Sequence, residues 1–95
     1  MLDIDSSAAK AIDELTAATG VGPRGGLRIT FSADTPDHGF ALSVEPHPAP
    51  EDVVVADGDT RVFLDAHAAD ALADKVLDVR KRHAGRVHFG VYPQA

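Results

Sequence analysis

The sequence predicts an α+β domain with small, mainly antiparallel or mixed β-sheets, one N-terminal helix and one further short helix. Three observations point there. Apolar residues recur at spacings of three and four near the N-terminus and again after residue 65. Elsewhere they alternate with polar residues, the period of a half-buried strand. Gly, Pro and Asp-Gly punctuate the chain at short intervals, as a sheet of short strands requires.

Asp5 can accept a hydrogen bond from the free amides that open a helix, and Ala8, Ala11, Ile12 and Leu15 then share one face. Gly20 offers a left-handed stop. The next segment, "GVGPRGG", is too rich in Gly and Pro for regular structure and reads as a loop. "LRITFSA" places Leu27, Ile29 and Phe31 on one face, and "GFALSVE" does the same with Phe40, Leu42 and Val44, so the two pair as a hairpin. "PHPAPED" has three Pro in five residues and crosses an edge or end of the domain, because Pro cannot donate to a central ladder.

"VVV" at 53–55 and "TRVFLD" at 60–65 flank the turn signal Asp57-Gly58, giving a second hairpin. Asp65 caps a short helix through "AHAADALAD", with Ala68, Ala69, Leu72 and Ala73 available for burial. The chain beyond that helix admits two readings. "KVLDV" and "RVHFGVY" alternate as strands joined through "RKRHAG", whereas "ADALADKVLDVRKRH" also fits one longer helix. The β-branched and aromatic Val76, Val79, Val87, Phe89 and Val91 favour strands.

Ninety-five residues make a single domain over 1–95, with no repeat or linker. No apolar run approaches the roughly 18 residues that span a bilayer, and "MLDIDSSAAK" has acids where a signal peptide carries cations. A cytoplasmic protein without a membrane partner is expected. Abundant Ala, with Arg outnumbering Lys six to three, points to a GC-rich bacterial genome. The formal charge of −6 divides unevenly, residues 1–74 carrying −10 and residues 75–95 carrying +4. Overall acidity argues against nucleic acid as a partner.

The chain has no cysteine, which removes disulfides, thiolate nucleophiles and thiolate-bound metals together. Ser6, Ser7 and Thr19 sit at helix ends, where hydroxyls cap, and no Gly-x-Ser-x-Gly elbow occurs. "GVGPRGG" lies between helix and strand, the reverse of a phosphate-binding loop. With no nucleophile, cofactor fingerprint or acid/base pair, the sequence does not read as an enzyme, and no cofactor is implied. Five histidines form no HxxxH pair. Asp34, Asp37 and His38 could present two oxygens and a nitrogen to a single metal ion, although Asp-Thr-Pro-Asp is also ordinary turn chemistry. Arg80, Lys81, Arg82, His83 and Arg86 cluster at the tip of the last hairpin, either as a solvated turn or as a contact for an acidic partner surface or for the acidic remainder of the same protein.

The helix "SSAAKAIDEL", the strand "GGLRITF", its return "FALSVE", and "TRVFLDAHAADAL" with "KVLD" after it together resemble the HesB/IscA-like family, the A-type carriers of iron-sulfur cluster biosynthesis. The likeness runs to about Phe89 and implies that family's fold and pathway. It also implies three cysteine ligands for a cluster. The first would fall at or near Thr35, and the other two in a tail whose counterpart "VYPQA" ends without them. Such clusters need soft anionic sulfur, which a Thr hydroxyl is not. The expectation is a cluster-free binding or interaction module working with a protein partner or as a homodimer, the alternative being a mononuclear metal-binding protein using the 34–38 loop.

Overall fold

The computed structural model describes residues 1–31, 39–83 and 86–94. In chain order the elements are β1 (Asp3–Ile4), α1 (Ser6–Thr19), β2 (Gly26–Phe31), β3 (Phe40–Glu45), β4 (Val53–Asp57), β5 (Thr60–Leu64), α2 (Ala66–Ala71), β6 (Lys75–His83) and β7 (Arg86–Pro93). The α+β class expected from the periodicities is the class found. The strands form a four-stranded sheet, β3-β2-β5-β4, and a three-stranded one, β1-β6-β7. Both are mixed, since β2 runs parallel to β5 and β1 parallel to β6.

Each end of α1 is defined by a distinct cap. At its start Asp5 accepts from the Ser7 amide at 3.4 Å and the Ser7 hydroxyl at 2.7 Å, while the Ser7 oxygen accepts from the Val79 amide at 3.3 Å. The Asp5 amide donates to the Leu77 carbonyl at 2.9 Å, so the cap is also a stitch to β6. Gly20 ends the helix with φ of 68°, its amide donating to the Thr16 carbonyl. Midway, the buried Thr60 hydroxyl donates to Asp13 at 2.8 Å and joins α1 to β5.

Asp65 closes the centre of the larger sheet. One carboxylate oxygen caps α2 by accepting from the Ala68 amide at 2.7 Å, and the other accepts from the Phe31 amide at 3.4 Å. Its own amide donates to the Ile29 carbonyl. Between the sheets and under the helices, Leu2, Ala8, Ile12, Leu27, Ile29, Val55, Val62, Leu64, Ala68, Leu72 and Leu77 make one core. Each large member contributes about 1.5–3 kcal/mol by leaving water.

The Pro-rich connection joins β3 to β4, the two opposite edges of the four-stranded sheet, and therefore has to cross it. It reaches the face away from the core, where Arg28 on β2 lies beside Phe63 on β5. Asp52 at the end of the crossing pairs with Arg28 there, and Phe63 is wholly buried although it points away from Val62 and Leu64.

Several details differ from the sequence reading. Which strands run parallel is not read from local patterns, because neighbours such as β2 and β5 come from distant parts of the chain. Strand β1 carries no sequence signal, two residues being too few to show a period. The second hairpin turns on Gly58-Asp59, with Asp57 and Thr60 paired and Gly58 at φ of 60°. Strand β6 continues to His83, which settles the long-helix alternative and places Arg80, Lys81 and Arg82 on a strand rather than in a turn. Ala73 is exposed, and Leu42, on an edge strand, is 46% exposed.

Gly26 begins β2 against the backbone of β5, and a Cβ there would fall on the Arg61 carbonyl. Gly26→Ala is expected to lower stability by about 1–3 kcal/mol through forced displacement of that backbone, measurable as a lower denaturation midpoint at unchanged m-value.

Candidate functional site

Asp34, Thr35, Asp37 and His38 lie outside the described residues. On either side of that segment, Phe31 and Phe40 face each other across β2 and β3, with ring centroids 5.1 Å apart at 62° in an edge-to-face contact. Among the described residues no group of three or more His, Cys, Asp or Glu is gathered to hold a metal ion. With no thiolate in the whole sequence, the donor set does not fit an iron-sulfur cluster.

An apolar crevice of about 310 Å³ opens beside those phenylalanines, lined by Ile29, Phe40, Leu42, Leu72, Leu77, Phe89, Gly90 and Val91. Ile29, Leu72 and Leu77 belong to the core, whereas Leu42 stands at the exposed rim. No ionisable side chain among the described residues lines it, so they accept apolar groups there but offer no acid, base or metal ligand.

The basic residues divide between two faces of the β6–β7 ribbon. Pairing runs regularly from Lys75 with Pro93 to Val79 with Phe89, then resumes with Lys81 opposite His88, leaving Arg80 as an extra residue in a β-bulge. Below the bulge Leu77 and Val79 face inward, with their partners Val91 and Phe89 against the crevice. The extra residue reverses the alternation. Lys81, His88 and Arg86 therefore face outward and Arg82 inward, where its guanidinium meets Glu14 of α1 at 3.1 Å.

Arg80 lies over Gly90, occupying the space a side chain there would need. Its guanidinium donates to the Val91 carbonyl at 2.7 Å and sits 3.1 Å from Asp78, an ionic contact without a well-directed hydrogen bond. Thus two of the four predicted contact residues, Arg80 and Arg82, have partners within the chain, while Lys81 and Arg86 are exposed. His88 and Tyr92 share the outward face, and sequence reasoning does not find them. Only the strand register reveals them.

Among the described residues the best-buried charge pair lies on the opposite sheet. Arg28 donates to Asp52 at 2.7 and 3.0 Å, with the Asp52 side chain 3% exposed, and the Ala49 amide adds a bond at 3.0 Å. Its hydrogen bond from Arg28 holds the Asp52 carboxyl below the ordinary value of 3.8, burial opposing, and Arg28 is raised in turn. Asp5 is also lowered, chiefly by the Ser7 hydroxyl, and Asp74 by Lys75. These are structural uses.

A carboxyl lowered in the folded state stabilises above its unfolded pKa and ceases to do so as pH falls through the folded value. Asp52→Asn should therefore cost about 1.5–3 kcal/mol at neutral pH, the range of hydrogen bonds to charged groups. The gap between wild type and variant should narrow below about pH 4, as urea titrations at several pH values would show.

No protein-family model matches the chain, and no curated protein matches it in sequence. Solved structures do. The crystal structure of SufA from Escherichia coli, involved in biosynthesis of iron-sulfur clusters, superposes with a TM-score of 0.74 at 20% identity, over 97% of this chain and 84% of that one. The crystal structure of IscA with a 2Fe-2S cluster gives 0.75 at 17% identity, over 98% and 85%. Identities this low establish a shared fold, and it is the fold that the sequence resemblance implied.

Proposed function

We propose that this chain, which has the HesB/IscA fold and no cysteine, is a non-enzymatic binding module of iron-sulfur cluster biogenesis that does not itself ligate a cluster. The carrying observation is the combination of a carrier's fold with a donor set lacking thiolates. Oxygen and imidazole ligands suit harder ions and do not replace sulfur around paired irons. What remains useful in the scaffold is its surface.

Four hydroxyls among the described residues support the non-enzymatic part of this reading. Ser7 is committed to Asp5 and the Val79 amide, Thr60 to Asp13, and Thr16 and Thr19 to helix carbonyls, so none of these is presented to a base in a cleft. The contact lies in the basic segment Arg80, Lys81, Arg82 and Arg86, and the partner is another protein or a second copy of the chain, in the cytoplasm. Clustered charge of one sign on an otherwise acidic body steers encounter with an oppositely charged surface.

Anaerobic incubation of the purified protein with ferrous iron and sulfide, then desalting, is expected to leave no cluster absorbance and no stoichiometric iron. A stable coloured species retaining iron and sulfide would overturn the reading.

A further inference from the structure

We propose that the outward face of the β6–β7 ribbon binds an acidic segment of a partner protein, with Lys81, Arg86 and His88 as the polar contacts and Tyr92 as the apolar one. This rests on the binding-module reading and assigns it a face and a class of partner.

The bulge at Arg80 is what makes the face. Regular alternation would send Lys81 inward and Arg82 outward, whereas the single extra residue places Arg80 and Lys81 on the same side as Arg86 and His88. All four are exposed, as is Tyr92 further along β7, and Gly90 between them lets Arg80 lie flat instead of projecting. Asp78 is the acidic group beside Arg80, and Asp3 on β1 lies at the Tyr92 end. Cations therefore gather toward the 81–88 end.

Charge selects the occupant. Residues 1–74 carry a formal −10, so an acidic partner is repelled by most of the molecule and attracted to this ribbon. The same field disfavours nucleic acid, whose phosphates would extend beyond so short a basic strip. An extended Asp- or Glu-rich segment fits the width of two strands, its carboxylates on Lys81, Arg86 and His88 and an apolar side chain on Tyr92.

The test is fluorescence anisotropy of a labelled oligoglutamate peptide at low salt, with amide shifts mapped by NMR. Wild type is expected to bind with shifts confined to β6 and β7, and binding should weaken with added salt. Lys81→Gln/Arg86→Gln should weaken it about fivefold or more, the loss of two exposed ion pairs. Lys10→Gln/Arg24→Gln removes the same charge from other faces and should change it by less than about twofold. Equal losses in both double variants, with native amide spectra, would overturn the assignment, as would no binding by wild type.

Tighter binding of a single-stranded oligonucleotide than of the peptide would overturn the partner class. Self-association of wild type abolished by Lys81→Gln/Arg86→Gln would overturn it too, by giving the face to a second copy of this chain. Cluster reconstitution reads the parent proposal separately, so either can fail without the other.

Discussion

The parallel pairing of β2 with β5 is the interaction on which the rest depends. These strands are central in the four-stranded sheet, and their inward residues Leu27, Ile29, Val62 and Leu64 supply much of the core. Because β3 and β4 must then be the edges, the Pro-rich connection has to cross the sheet, which brings Asp52 onto Arg28 next to the buried Phe63. Asp65 finishes the pairing, holding the end of β2 through the Phe31 amide while starting α2. A single carboxylate thus places the phenylalanine from which residues 32–38 depart.

Around that centre, polar side chains serve the scaffold. Asp5, Ser7, Asp13, Thr60 and Asp65 each satisfy a helix amide, a strand amide or one another. A small domain buries a modest fraction of its surface, so each such bond weighs against a net stability of about 5–15 kcal/mol. The hydroxyls of Ser7 and Thr60 are held in place by these bonds. The crevice beside Phe40 is correspondingly apolar. The fold is shared with SufA and IscA, and on it this sequence carries no thiolate.

The ribbon β6–β7 shows how one backbone irregularity distributes charge. Five cations fall within the last 21 residues, but their meaning depends on which side of the sheet each faces. The bulge sends Arg82 to Glu14, where an exposed pair adds at most about 1 kcal/mol, and sends its neighbour Lys81 to the opposite face. Adjacent residues of like charge therefore lie on opposite faces of the ribbon.

Local rules made much of the chain legible: Asp5 and Asp65 as caps, Gly20 as a stop, the two hairpins, and the absence of thiolates are set by residue types and by periods spanning a few positions. Those signals act between near neighbours, so they survive in one dimension. The parallel partners of β2 and of β1, the crossing that brings Asp52 onto Arg28 and the phase of the β6 side chains did not. They depend on which distant segments share a ladder and on one extra residue that shifts every later side chain to the other face, and only packing in three dimensions decides either.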